Sequence, residues 1–367
     1  MPSITLPCLL NKMSANTTSL KWDNPSVEAL FRLLRIALGN GESSRSFSKV
    51  DWQEVYDLSM QQRVGAIACD GLFALEQCDI DEDLRYKWLG QSMVIEQKAT
   101  AQWKLACQLA SLYAQHGIKT YLLKGISFAS YYPKPFHRPS SDLDICLLED
   151  FDKGNSLVEQ MGVKVDVSET KHSHFTINNI HVENHQFCIG VKGNKRNKMI
   201  ERRLRQLLNQ EATSLGKSSV MRPVWLFNAL FSMCHAQTHF LIEEGITLKH
   251  VTDWVVLKNH VKSDDELTAF WRECESFGLS RFAKTIDELA DHIYHGGAIG
   301  DLGKMMLQDI LCHKHHEESK NKTAAHLNIL KMIVSNRWKY KYFSDTTAFR
   351  MVLTYIFGHL FDRAPKL

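Results

Sequence analysis

The chain has 367 residues, enough for two or three structural units, because the core of an ordinary domain stops growing at about 100 to 200 residues. Its 44 basic and 41 acidic residues give a net charge of only +3, which predicts neither a nucleic-acid coat nor an acidic tail. No apolar run reaches the roughly 18 to 20 residues of a membrane helix, and the nine Cys form no CxxC pair. We therefore expect a cytoplasmic protein with reduced thiols, no membrane partner and no strong sign of DNA binding.

The first part of the chain is predicted to be helical. Residues 1–22 are expected to form a loose tail, and residues 23–116 a helical N-terminal unit. Apolar residues recur in this unit at the three- and four-residue spacing of one buried helix face. Asn24 and Asp51 are expected to begin helices, because their short polar side chains can cap the free N–H groups of a first turn.

The pattern changes at Gly117, and residues 117–192 are predicted to form a core of strands and helix. Short β-branched or alternating segments indicate strands at 118–123, 141–148, 163–167, 174–177 and 180–187, with a helix at 150–161. The last two strands are expected to pair as a hairpin that turns at Asn178-Asn179.

Residues 193–367 are predicted to form a helical C-terminal domain. The helical spacing covers 197–209, 223–242, 247–260, 264–276, 280–293, 302–316, 322–338 and 346–361. The fold class expected for the chain is therefore α+β, with a small mixed β-sheet core between helical N-terminal and C-terminal units.

Two carboxylates in the core form the first candidate for chemistry. Asp142 and Asp144 are two residues apart in a predicted strand, so their side chains point to the same face. Adjacent carboxylates repel unless a cation lies between them, and Mg²⁺ prefers oxygen ligands of this kind. An Asp-x-Asp pair alone is also typical of solvated strands and turns, so its surroundings decide the interpretation.

Those surroundings favour a phosphate site. Gly125 follows a predicted strand, where a glycine lets a phosphate approach backbone N–H groups at a helix start that includes Ser127. Lys124 could add a positive charge, and Arg138 could bind phosphate oxygens in a forked geometry. The alternative interpretation is an ordinary exposed Lys and Arg beside a turn.

A third carboxylate lies in the predicted hairpin. The period of two places Glu183 and His185 on one face, where Glu183 could meet the two aspartates across the sheet. Three carboxylates can hold two metal ions and help to activate an attacking hydroxyl. His174 and His185 are expected to contact the acceptor or the phosphates, and Glu183 without its surroundings would be interpreted as an exposed strand residue.

These residues resemble a known family. The segment LLKGISFASYYPKPFHRPSSDLDICL, followed by IHVENHQF at 180–187, resembles the uncharacterised nucleotidyltransferase family of the DNA polymerase beta superfamily. The shared features are a strand ending in Leu-Lys-Gly, an Arg shortly before an Asp-x-Asp strand, and a later Glu-x-His strand. The chain departs from the superfamily where Gly125 is followed by Ile126 rather than by Gly or Ser.

The resemblance implies a metal-dependent enzyme that transfers a nucleoside monophosphate from a nucleoside triphosphate and releases pyrophosphate. It places Asp142, Asp144 and Glu183 as the ligands of Mg²⁺ or Mn²⁺, Gly125 at the glycine signature, and His185 at the histidine of the Glu-x-His strand. It does not imply an acceptor, which could be a small molecule, a protein or RNA. Two alternatives stay open, a nucleotide-binding module without turnover and a metal-dependent phosphohydrolase that uses the same carboxylates.

Three other groups have less specific interpretations. His235 and His239 lie four residues apart on one face of a predicted helix, which suits a wall of the acceptor pocket better than a metal site without a third ligand. The basic stretch 192–205 could steer a triphosphate or RNA, but a solvated face is the favoured interpretation. A third group, expected to be solvated, comprises His313, His315 and His316.

Overall fold

The structure, a computed structural model, describes residues 24–44, 47, 50–169, 171–191, 194–210, 212–242, 245–312 and 322–360. The predicted tail at 1–22 and the group of His313, His315 and His316 lie outside the described residues. Helices lie before and after a single six-stranded mixed sheet in the part of the chain that is described. This arrangement confirms the predicted α+β class.

Four helices precede the sheet: α1 (Pro25–Ala37), α2 (Trp52–Gln61), α3 (Gly65–Phe73) and α4 (Glu82–Gln115). Asn24 and Asp51 accept backbone N–H groups in the first turns of α1 and α2, as the sequence predicts. The 34-residue helix α4 extends from this bundle to the sheet. Trp88 is therefore buried with the N-terminal helices, whereas Tyr113 packs beneath the sheet.

The sheet has the strand order β3-β4-β2-β1-β6-β5. Its strands are β1 (Thr120–Leu122), β2 (Leu143–Cys146), β3 (His172–Ile177), β4 (Ile180–His185), β5 (Thr213–Ser214) and β6 (Val220–Arg222). The pairs β2–β4 and β1–β6 are parallel, and the other three are antiparallel. Asn178 and Asn179 have φ values of 51° and 62°, which confirms the predicted hairpin turn.

One strand prediction is wrong, three are too long, and two short strands were not predicted. Residues 163–167 make only one isolated bridge, between Asp166 and His174, and Val167 is 64% exposed. The C-terminal part is not wholly helical, because β5 and β6 extend the sheet beside β1. These strands have two and three residues, too few for a recognisable period of two. The strand predicted at 141–148 is limited to β2, since its last residues enter a 3₁₀ turn.

The remaining helices connect and cover the sheet. Short helix α5 (Ile126–Ala129) follows β1, and α6 (Phe151–Gln160) follows β2. The later helices are α7 (Lys195–Leu208), α8 (Trp225–Ile242), α9 (Leu248–Lys258), α10 (Asp264–Ser276), α11 (Ser280–His295), α12 (Asp301–Leu311), α13 (Lys322–Ser335), α14 (Arg337–Phe343) and α15 (Ala348–Leu360). The helix predicted at 322–338 is thus divided between α13 and α14.

Two hydrophobic cores lie on opposite sides of the sheet. Leu143, Ile145 and Val182 point into the smaller core, which includes the end of α4. Cys146 belongs to the larger core, which joins the N-terminal helices to α8, α9 and α11. Because side chains alternate along a strand, Asp144 shares the Cys146 face of β2 and is directed toward the helical side.

Candidate active site

Asp144 and Glu183 lie side by side in the centre of the sheet. They are register partners in the parallel pair β2–β4, so their side chains leave the sheet on the same face. Asp144 is only 2% exposed, while Glu183 is half-buried. Ligand atoms of Asp144, Glu183 and His185 all lie within 4.8 Å of one another. The fold therefore brings two carboxylates and an imidazole to one point.

His185 connects the two carboxylates. Its Nε2 atom lies 3.0 Å from Asp144 Oδ1 and 3.1 Å from Glu183 Oε2, and its ring is completely buried. Burial opposes protonation, but the hydrogen bonds to Asp144 and Glu183 outweigh it and raise the pKa of His185. The protonated imidazole then donates to both carboxylates.

Lys124 supplies the second positive charge. Its Nζ atom lies 3.0 Å from Asp144 Oδ1 and 3.9 Å from Glu183 Oε2. Burial raises the pKa of each carboxyl, but Lys124 and His185 outweigh this effect for Asp144, and hydrogen bonds from His172 and His185 do so for Glu183. Both pKa values are therefore lowered, and two carboxylates are balanced by two cations.

Asp142 lies one residue before β2 begins, and it is half-buried. Its charge contributes to the raised pKa of Lys124, which places it near the cluster. Within the described residues, the sets of ligand atoms close enough to share an ion include Asp144 and Glu183 but not Asp142. The role of Asp142 as a metal ligand stays a prediction.

Arg138 is bound within the protein, and its role as a phosphate ligand stays a prediction. Its Nε and Nη2 atoms donate to the two carboxylate oxygens of Asp253 on α9, at 2.7 and 2.8 Å. Its Nη1 atom donates to the Gly125 carbonyl at 3.2 Å, and the side chain is only 4% exposed. The predicted fork exists, but it binds an internal carboxylate and holds the turn after β1.

Gly125 and Ser127 lie in and after the turn that follows β1, and their surroundings differ. Gly125 has a φ of 56°, which favours glycine, and a Cβ atom there would lie 2.8 Å from Ser140 Oγ. Ser127 is fully buried, and its hydroxyl lies 3.3 Å from Asn228 Oδ1 on α8. The Ser127 side chain therefore packs against the helical core, and the predicted role of Ser127 in nucleotide binding stays a prediction.

His174 lies on β3 opposite Glu183 in the hairpin register. Its Nδ1 atom is 3.0 Å from His181 Nε2, and its Nε2 atom is 3.5 Å from Glu169 Oε1. The structure thus places His174 beside the carboxylate cluster, within a second group of imidazoles that also includes His172. Whether it contacts phosphate or acceptor stays a prediction.

The region where α8 faces α9, which we call the cleft, holds a group of basic side chains that was only partly predicted from the sequence. His235 and His239 lie on one face of α8, as their spacing predicts, with ring centres 4.3 Å apart. The His250 ring on α9 lies 6.4 Å from His235 and 5.9 Å from His239. The Thr247 backbone N–H donates to His250 Nδ1, so the proton of the neutral His250 ring is on Nε2.

Positive charge is concentrated around this cleft. Burial and the neighbouring Arg138 guanidinium lower the pKa of the half-buried Lys249 amine to about 7. Burial also lowers the pKa of His235 and of His250, and Lys124 contributes to the shift at His235. The dependence on Lys124 shows that the cleft and the carboxylate cluster are neighbours. Lys249 and His250 were missed because ordinary helix residues carry no local signal of such a neighbour.

Three arginines of the basic stretch are bound by neighbouring parts of the protein. Arg196 donates to Gln237 and to the Phe277 carbonyl, Arg203 donates to Glu273, and Arg205 donates to Glu149 and Glu201. These three arginines fasten α7 to its neighbours. They do not form an open basic face, and Lys192 lies outside the described residues.

Comparisons with known proteins give one match. No curated protein matches the chain, and no solved structure does. None of the helices in the described part of the chain is long and apolar enough to cross a membrane. The family model described as "Uncharacterised nucleotidyltransferase" matches residues 48–295, which contain the sheet, the carboxylate cluster and the cleft. The chain therefore belongs to the uncharacterised nucleotidyltransferase family, as its motifs predict.

Proposed function

We propose that this protein transfers a nucleoside monophosphate from a nucleoside triphosphate to an acceptor and releases pyrophosphate. Membership of a nucleotidyltransferase family supports nucleotidyl transfer and a nucleotide substrate. The observation that carries the proposal further is the register pair of Asp144 and Glu183, with His185 between their oxygens. Two ionised carboxylates on one sheet face, beside a cleft rich in basic groups, suit a phosphate ester and its counterion.

The carboxylates of Asp144 and Glu183 would hold Mg²⁺ or Mn²⁺, with Asp142 as a further oxygen ligand. Carboxylate oxygens are the ligands that these ions prefer. When bound, such an ion neutralises charge on the attacking and leaving oxygens of a phosphoryl transfer. The protein's own contribution is preorganisation, because Lys124 and His185 keep both carboxylates ionised and fixed beforehand.

The cleft between α8 and α9 would receive the departing phosphates. Lys249 is the principal group, and the Nε2–H of neutral His250 is an additional donor. The charged groups that influence the Lys249 pKa are Arg63, Lys124, Arg138 and Asp253, and Asp253 is already bound by Arg138. An anion entering this cleft therefore meets more cationic than free anionic groups.

The decisive experiment follows the α-phosphate and the γ-phosphate of the nucleotide with separate labels. The purified protein is incubated with Mg²⁺, a cell extract and either α-labelled or γ-labelled nucleoside triphosphates. Transfer predicts α-label on an acceptor together with released pyrophosphate. Free phosphate without labelled acceptor would favour the phosphohydrolase, and nucleotide binding without either product would favour a binding module.

The matched variants are Asp144→Asn and Asp152→Asn. Asp144→Asn keeps the size of the side chain but removes its charge, so label transfer should fall at least about a hundredfold, equivalent to roughly 3 kcal/mol of lost stabilisation. Asp152 is exposed on α6, and its replacement should leave transfer unchanged. Equal activity of the two variants would refute the assignment of Asp144.

A further inference from the structure

A second group of potential metal ligands lies beside the carboxylate cluster. It comprises Glu169, which precedes β3, together with His172 and His174 on β3. Ligand atoms of these three residues lie within 4.8 Å of one another. The β3–β4 register pairs His172 with His185 and His174 with Glu183, so the two groups share one sheet face.

The separations between atoms match the edges of a metal coordination shell. His172 Nε2 lies 3.5 Å from Glu169 Oε2, and His174 Nε2 lies 3.5 Å from Glu169 Oε1. His172 Nε2 also lies 3.3 Å from Glu183 Oε1. A tetrahedral ion with bonds of about 2.0–2.1 Å holds its ligand atoms roughly 3.4 Å apart. The side chains therefore need little movement to surround an ion.

Glu183 faces both groups with different oxygens. Its Oε2 atom is 3.1 Å from His185 Nε2, and its Oε1 atom is 3.3 Å from His172 Nε2. The His172 and His185 rings are nearly parallel, with centres 5.0 Å apart. One carboxylate placed between two imidazoles in this way can bridge two neighbouring ions.

Burial supports a ligand role for His172. The residue is only 8% exposed, and its Nδ1 atom has no hydrogen-bond partner in the described part of the chain. The proposed metal bond uses the other nitrogen, Nε2, which faces Glu169 Oε2 and Glu183 Oε1, and burial holds the ring with this atom toward the proposed ion. The contact of His174 Nδ1 with His181 orients the His174 ring so that its Nε2 atom faces Glu169.

We propose that Glu169, His172 and His174 bind a divalent ion of the Zn²⁺ type, with Glu183 as a ligand shared with the carboxylate cluster. Imidazole ligands suit Zn²⁺ and Co²⁺, whereas Mg²⁺ prefers oxygen alone. Only an effect of this site on nucleotidyl transfer rests on the proposed function. Binding of the ion by the imidazole site does not require nucleotide. The hairpin would thus hold two metal sites with different ligand preferences, and Glu183 would be a ligand in both.

The test uses Co²⁺, whose visible absorption reports coordination, and Zn²⁺ as a competitor. The full chain is freed of metal with a chelator and titrated in the wild-type form and as Glu169→Gln, His174→Ala and Asp144→Asn. His295→Ala is the matched histidine control, since His295 is exposed at the end of α11. Glu169 is 56% exposed, so its replacement tests the site with little risk to folding.

Wild-type protein and the His295→Ala control should bind one tetrahedral Co²⁺ that Zn²⁺ displaces. Glu169→Gln and His174→Ala should each weaken this binding at least about tenfold, while Asp144→Asn should keep the tetrahedral absorption. The proposal is overturned if wild-type protein shows no tetrahedral Co²⁺, or if Glu169→Gln and His174→Ala bind Co²⁺ as wild type does. If wild-type protein binds Co²⁺ in this way but transfers no label, the proposed function is refuted and this site stands.

Discussion

The carboxylate cluster and the cleft between α8 and α9 lie close together but treat charge in opposite ways. In the cluster, the pKa of Asp144 is lowered by Lys124 and His185, and the pKa of Glu183 by hydrogen bonds from His172 and His185 and by the charge of Lys124. In the cleft, the pKa of Lys249 is lowered because burial and like charges disfavour its ammonium form. The acids are therefore kept ionised, whereas the principal base is held close to neutrality.

This difference indicates the charge of the ligand that each region can bind. The cluster has balanced charges, so an arriving cation must replace contacts that Lys124 and His185 already make. The cleft has basic groups whose charge is suppressed, so an arriving anion would favour their protonation. A nucleotide with its counterion satisfies both needs at once.

The ion pair of Arg138 and Asp253 links the two regions. Arg138 belongs to the loop before β2 and also holds the Gly125 carbonyl, whereas Asp253 belongs to α9 and also accepts from Tyr132. Both charged side chains are at least 96% buried. The pair therefore fixes the position of the turn after β1 relative to the cleft.

Breaking this link should produce the largest effect. Arg138→Met leaves the Asp253 charge buried without its partner, and the free energy of unfolding should fall by about 3–5 kcal/mol. Denaturant unfolding followed by circular dichroism measures the change. The double variant with Asp253→Asn, which keeps an acceptor for Tyr132, should lose less stability than Arg138→Met alone. A loss below about 1 kcal/mol in the single variant, typical of exposed pairs, would show that the link is unimportant.

Removing a cation from the cluster should have an intermediate effect. In Lys124→Met, the carboxylates of Asp144 and Glu183 lose one of two compensating charges, so the metal-free protein should melt several degrees lower, corresponding to roughly 1–2 kcal/mol. Added Mg²⁺ should then raise the melting temperature more in this variant than in wild type. Calorimetry with and without Mg²⁺ measures both changes. Lys119→Met, at an exposed position, is the control, and an equal Mg²⁺ effect in all three proteins would contradict the prediction.

Much of the fold could be predicted because its signals are local. Asn24 and Asp51 cap helices through hydrogen bonds to N–H groups two or three residues away. The Asn178-Asn179 turn is likewise set by two adjacent residues. Strands β5 and β6 were missed because their two- and three-residue lengths carry no periodicity, and only the neighbouring β1 makes them part of a sheet.

The site could be predicted only as far as strand geometry reaches. The period of two places Glu183 and His185 together, and the observed register places Asp144 beside Glu183. The fate of Arg138 could not be predicted, because its partner Asp253 is 115 residues away along the chain. A forked guanidinium suits a carboxylate as well as a phosphate, so the residue type alone could not decide between them.

The smallest expected effect concerns Lys249 and tests whether the cleft is reserved for anions. The pKa of its amine is lowered to about 7, so the free protein loses this positive charge as the pH rises above 7. A bound anion should raise the pKa again, and binding is then accompanied by proton uptake. Between pH 7.5 and 9, the affinity of wild-type protein for inorganic tripolyphosphate, relative to that of a protein without the Lys249 amine, should therefore fall with rising pH, by at most about tenfold per pH unit.

Calorimetric titration of wild-type protein and Lys249→Met with tripolyphosphate over this pH range measures the effect. All proteins are titrated with the same ligand, so its own ionisation is common to every titration, and the difference in pH dependence between wild type and Lys249→Met belongs to Lys249. Lys249→Met should bind more weakly at pH 7.5 and should lose this part of the pH dependence. Lys258→Met, a partly exposed position on the same helix, should behave as wild type. If Lys249→Met shows the same pH dependence as wild type, another group binds the phosphates. Lys249 would then not be the residue that distinguishes the cleft from the carboxylate cluster.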